Sequence, residues 1–120
     1  MKESERNSFN FVLNLTKELA LDYDKQHNNM ESFARWNLPE EIGLEWIDAE
    51  CMIDILYCSK IITQQVYDAL KSIVNGFILE FEKNNNPVWT HEQCKNSDFW
   101  NNQRKKAKEI IIQLTNERNI

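Results

Sequence analysis

Apolar residues recur every three or four positions along most of this chain, the spacing that lines one face of an α-helix. Phe9, Val12, Leu13, Thr16, Leu19, Ala20 and Tyr23 follow it and predict an amphipathic helix from about Ser4 to His27. Asn28-Asn29 interrupts the pattern, and a short helix through Met30, Phe33 and Ala34 is expected after it. Leu38-Pro39-Glu40-Glu41 reads as a helix start. Proline suits the first helical position, and the two carboxylates sit at the positive end of the helix dipole.

The helix opened by Pro39 is expected to reach about Cys58. Turning ~100° per residue, it places Ile42, Trp46, Ala49, Ile53 and Leu56 on one side. Leu44, Ile47, Cys51, Ile55 and Cys58 fall on the opposite side, with Glu41, Glu45 and Asp48 on one flank and Glu50 and Asp54 on the other. A helix apolar on two faces is expected to be covered on both, which places this third helix centrally; if one face is exposed instead, it becomes a dimer interface.

Thr63 caps a fourth helix running to about Lys83, with Val66, Tyr67, Leu70, Ile73, Val74, Phe77, Ile78 and Phe81 as a broad stripe. Asn84-Asn85-Asn86-Pro87 reads as a loop, and Thr90-x-x-Gln93 as a capping box for a short helical turn. Ser97 caps the last helix, whose core face is Trp100, Ala107, Ile111 and Leu114, with Ile110 at its edge. No segment reads as a strand, and two glycines and two prolines are too few for a sandwich or barrel. The expectation is an all-α class: one compact bundle over residues 1–120, with about four main helices and two short ones.

The 120 residues suit one domain, and 42% hydrophobic content is enough for a core. The polar start, Met1-Lys2-Glu3-Ser4-Glu5-Arg6-Asn7, lacks the apolar region of a secretory signal, and no stretch approaches the ~18 to 20 apolar residues of a membrane span. Three cysteines are an odd number; Cys51 and Cys58 are too far apart on one helix to join. Reduced thiols in a cytoplasmic protein are the simplest account.

Catalytic chemistry finds little support. Phosphate-loop, HExxH, GxSxG and CxxC patterns are all missing. His91 and Cys94 make half a metal site at best, since zinc takes three or four protein ligands. His27 reads as a cap near Tyr23, favoured by the negative helix end. Glu41 with Glu45, and Glu50 with Asp54, sit four apart but on helix flanks, as solvated surface does. Neither histidine follows a glutamate in the Glu-x-x-His spacing of dinuclear carboxylate bundles. We therefore expect a non-enzyme without cofactor or metal. Arg104, Lys105, Lys106 and Lys108 form the one basic cluster, spread round a helix without base-stacking aromatics, so a nucleic-acid partner is not expected.

Net charge is −5, and it is unevenly placed. Residues 1–60 hold 12 acids and 6 bases, residues 61–120 hold 7 acids and 8 bases. Between Glu18 and Asp54, ten acids face Lys25 and Arg35 alone. Complementary fields raise association rates from ~10⁵–10⁶ towards 10⁸–10⁹ M⁻¹s⁻¹, so this half can be the footprint of a basic protein partner. Asp22, Asp24, Glu41, Glu45 and Asp48 are the candidates for steering and pairing. Tyr23 and Trp36, aromatic residues within the acidic stretch, are the candidate anchors.

The runs Leu38-Pro39-Glu40-Glu41-Ile42-Gly43-Leu44-Glu45-Trp46, Val66-Tyr67-Asp68-Ala69-Leu70, and Trp89-Thr90 leading to Ser97-x-Phe99-Trp100 resemble a group of small, uncharacterised all-helical bacterial proteins, over about residues 38–115. In size, acidity and lack of catalytic residues, the chain also looks like bacterial immunity proteins, including those of contact-dependent growth inhibition systems. That second resemblance implies a cytoplasmic protein that binds one cognate toxin, often a basic nuclease, and covers its active surface. No site residue is transferred by motif. A monomer is favoured, with no membrane partner; the alternative is a small regulatory or adaptor protein acting as a homodimer.

Overall fold

Helix starts fall where short polar side chains can receive backbone N–H groups that a first turn leaves unpaired. The Thr63 hydroxyl accepts from the Val66 N–H at 3.2 Å, Thr90 from Gln93 at 3.1 Å, and Ser97 from Trp100 at 3.3 Å. The computed structural model describes residues 2–25, 39–83 and 87–118, among which there is no strand. The elements are α1 (Glu3–Ala20), α2 (Pro39–Asp48), α3 (Glu50–Cys58), α4 (Gln64–Glu82), a 3₁₀ turn (Pro87–Trp89), α5 (His91–Asn96) and α6 (Asp98–Arg118). None is long and apolar enough to cross a membrane.

The all-α reading is correct, and two boundaries differ from it. α1 ends at Ala20, short of His27, because Leu21 turns to extended backbone (φ −69°, ψ 150°). Leu21 thereby reaches the side of α6, where it shares a groove with Lys108, Ile111 and Ile112. The expected single helix from Pro39 to Cys58 breaks at Ala49. That residue's N–H is shared between the Glu45 and Trp46 carbonyls, at 3.0 and 3.2 Å, while its own carbonyl accepts from Ile53 at 3.1 Å. The break is one tightened residue, and α2 and α3 stay one rod. At the rod's far end Lys60 adopts left-handed backbone (φ 61°). The Ile61 N–H then bonds the Leu56 carbonyl at 2.9 Å, closing the turn into α4.

Four walls enclose the core. α1 packs on α3 and α6, and α4 packs on α2, α3 and α6. α5 and the 3₁₀ turn close one end, with α5 lying against α6. The inner face of the rod is buried as read: Ile42, Trp46, Ala49, Ile53 and Leu56 are all at most 1% exposed. Each fully buried aliphatic side chain contributes ~1.5–3 kcal/mol through area removed from water.

The central placement of the rod is corrected. Its opposite face is open, with Leu44 48% and Ile55 52% exposed and both Cys51 and Cys58 at the surface. The rod is one wall among four, and its two apolar faces differ in what lies against them. On α6 the core includes Ile110, fully buried, while Ile111 is half-buried, so the edge assigned from periodicity is reversed.

Aromatic rings fill the closed end. Phe81 and Trp89 stack at 4.1 Å, and Trp100 donates its indole N–H to the Val88 carbonyl at 2.7 Å. Gly43 lets α2 lie directly on this stack. A Cβ there would sit 2.8 Å from Trp89 and 3.1 Å from Phe81.

Candidate functional site

Where α1 meets the α2–α3 rod, a surface groove of about 470 Å³ opens. Glu41, Leu44, Glu45, Asp48 and Met52 line one side of it and Phe11 the other. The lining follows from helical spacing, because residues three and four apart on α2 stack along one flank. Phe11 lies beside the buried stripe of α1 (Val12, Leu15, Thr16, Leu19), half-buried and turned towards the rod. Glu41 and Glu45 are half-buried and Asp48 is exposed. The result is an apolar floor bordered by three carboxylates. Such a surface suits an apolar side chain flanked by cations. No histidine, hydroxyl or thiol lines it among the described residues.

The rod's other carboxylate flank has a different setting. The Lys71 ammonium on α4 donates to Glu50 Oε2 at 2.6 Å and to Asp54 Oδ1 at 3.2 Å. The Tyr67 hydroxyl donates to Asp54 Oδ1 at 2.8 Å, and its ring stacks on Tyr57 at 4.2 Å. The Glu50 hydrogen bond raises the Lys71 pKa above its ordinary value, and the Asp54 bond raises that of Tyr67. These acids tie two walls together.

The remaining sequence candidates are spread out. Asp22 lies 3.6 Å from Lys108 on α6, both side chains largely exposed. Asp24 is exposed. Tyr23 is half-buried, its hydroxyl 3.0 Å from His91 Nδ1, so it clasps the end of α1 to α5. Between Phe11 and the end of α1 lie nine residues, roughly 14 Å at ~1.5 Å per residue, so Asp22–Asp24 and the groove acids are separate patches. Trp36 lies outside the described residues, as does His27.

Cys94, paired with His91 in the metal reading, is fully buried beneath α6. Arg104 donates to its carbonyl and approaches its sulfur at 3.4 Å. Burial pushes the thiol up to about 11, so it stays protonated near neutrality and is a poor metal ligand or nucleophile. Among the described residues, no group of three or more His, Cys, Asp or Glu side chains is arranged to hold a metal ion. Arg104, read as part of a basic cluster, is 5% exposed, donates to Asn101 Oδ1 at 3.1 Å and lies over the Trp100 ring. It joins α5 to α6, and of the basic cluster Lys105 and Lys108 are exposed and Lys106 half-buried.

Phe11 and Met52 were invisible to sequence reasoning as site residues. Their signal is that both sit off the buried stripes of their own helices, on the sides that meet. Compared with protein-family models, curated proteins and solved structures, the chain shows no match.

Proposed function

We infer that this protein is a non-enzymatic inhibitor of the immunity type, which binds a basic bacterial toxin and covers its active surface. The observation that carries this reading is the convergence of Glu41, Glu45 and Asp48 around the apolar groove floored by Phe11 and Met52. The three carboxylates steer and pair with a cationic partner, and the apolar floor holds it once docked. Of the acids read as steering residues, these three form the docking surface; Asp22 and Asp24 add long-range field from the end of α1. An interface of ~800 Å² per partner would include the groove and the exposed ridge of Leu44 and Ile55.

The neighbouring gene is where the partner is to be sought: a large toxin-bearing reading frame immediately upstream would support the reading, and its toxin domain would be the protein to mix with this one. Association followed by tryptophan fluorescence should slow steeply between ~0.01 and ~1 M salt, where the screening length shrinks from ~30 to ~3 Å. Glu41→Lys/Glu45→Lys/Asp48→Lys should weaken binding at least tenfold, a change of ~1.4 kcal/mol. A rate indifferent to both salt and charge reversal contradicts the reading.

The exposed Leu44–Ile55 ridge also favours a second reading, a small adaptor protein that pairs with itself. A two-fold antiparallel pairing of that ridge would bring Asp48 near its own copy, with the two acidic flanks on the same side of the pair, and like charges so placed repel. Light scattering over a range of concentrations tests this second reading: a mass that levels off at twice 14.3 kDa supports the two-fold adaptor, and a mass that never does so contradicts it.

A further inference from the structure

A second groove, of about 510 Å³, opens where the end of α1 meets α6. Ala20, Leu21 and Ile111 form its apolar lining, Ile112 its lip, and Lys17 and Lys108 its rim. It is the charge complement of the Glu41–Glu45–Asp48 groove and close to it in size. At ~100° per residue, Ala20 lies half a turn round α1 from Phe11, so the two grooves open to different sides of the molecule. Each also presents an exposed apolar side chain: Leu44, 48% exposed, at the acidic groove and Ile112, 60% exposed, at the basic one. Lys108 meets Asp22 at 3.6 Å, but an exposed pair of this kind contributes ~0–1 kcal/mol and is readily exchanged.

We propose that the basic groove is occupied by a second copy of this chain, docked through its acidic groove. This rests on the reading that the acidic groove is a docking surface. Leu44 of one copy enters between Lys17 and Ile111 of the next, and Ile112 of that copy seats against Phe11 and Met52. Glu41, Glu45 and Asp48 then face Lys17 and Lys108. Because the joined surfaces differ and open to different sides, the contact is heterologous and runs head to tail, without two-fold closure. It avoids the opposition of acid to acid that a symmetric ridge pairing imposes. Occupation by a second copy and by a basic partner exclude each other, so self-association would regulate access to the docking surface.

Sedimentation equilibrium tests this at ~0.1 M salt, where the screening length is ~10 Å and whole-molecule repulsion is damped. The weight-average mass should climb with concentration above 14.3 kDa and not level off at twice that value. Lys17→Glu/Lys108→Glu and Glu41→Lys/Glu45→Lys should each return it to the monomer, with helicity by circular dichroism confirming that both fold. Mixing the two variants should restore association, since each then offers the complement of the other. A wild-type mass that never rises overturns the inference, as does association that survives Lys17→Glu/Lys108→Glu. Retained binding of the toxin domain by Lys17→Glu/Lys108→Glu separates the two claims. If that binding persists and self-association is missing from the wild type, this inference fails alone; if Glu41→Lys/Glu45→Lys leaves toxin binding intact, the underlying reading fails too.

Discussion

The two carboxylate flanks of the Pro39–Cys58 rod are alike in sequence and unlike in the fold. Glu41 and Glu45 sit four apart, as do Glu50 and Asp54. On the second flank α4 brings Lys71 and Tyr67, and both acids become structural ties between walls. On the first, α1 brings Phe11, and the acids border an apolar groove. The spacing of charges along one helix therefore does not decide whether they serve stability or recognition. The neighbouring helix decides it.

The largest effect on this contrast should come from Gly43. Gly43→Ala forces a methyl against Trp89 and Phe81, lifts α2 from the aromatic stack and reshapes the groove. A loss of about 1–3 kcal/mol in chemical denaturation is expected, typical of overpacking. An unchanged midpoint would mean that α2 is not held by that contact.

Charge reversal compares the flanks directly. Glu50→Lys/Asp54→Lys gathers three cations where one was neutralised, and should cost about 1 kcal/mol of unfolding free energy. Glu41→Lys/Glu45→Lys, at half-buried groove positions, should cost less than that pair, because the Lys71 bridge between walls lies on the Glu50–Asp54 flank. Equal losses would erase the distinction. Lys71→Met is milder, about 0.5 kcal/mol in the same assay, because its pairs are partly exposed and screened.

Alkaline pH gives the smallest and most specific readout. Cys94, Lys71 and Tyr67 all hold their protons more tightly in the fold than in an open chain. Their contribution is present at neutral pH and lost as the unfolded chain alone gives up protons, so stability falls as pH rises from 9.0 to about 11. Cys94→Ala should flatten the lower part of that decline in thermal melts, and Lys71→Met the upper part. A stability that rises over this range contradicts the assignment.

Much of this architecture is readable from local chemistry. Pro39 with Glu40 and Glu41, Thr63, Thr90 and Ser97 mark helix starts because capping involves residues only a few positions apart. The inner face of the rod is equally legible, since burial leaves a period. What periodicity does not record is the element opposite. Leu44 and Ile55 look like a second core face, yet they are about half exposed, and among the described residues no wall covers them. Lys71 meets Glu50 from 21 residues away, Arg104 reaches back to Cys94, and Lys17 and Lys108 come from opposite ends of the chain to line one groove. The groove acids were legible as charges; their floor, Phe11 and Met52, needed the crossing of α1 over the rod.

The most direct measurement is the association rate of the toxin domain with three proteins: wild type, Glu41→Lys/Glu45→Lys, and Glu50→Lys/Asp54→Lys. At low salt the groove variant should be slower by tenfold or more, falling towards the unsteered ~10⁵–10⁶ M⁻¹s⁻¹, while the Lys71-flank variant stays within about threefold of wild type. Equal slowing of both variants would show that bulk charge alone draws the partner, and would contradict a docking site at the Phe11–Met52 groove.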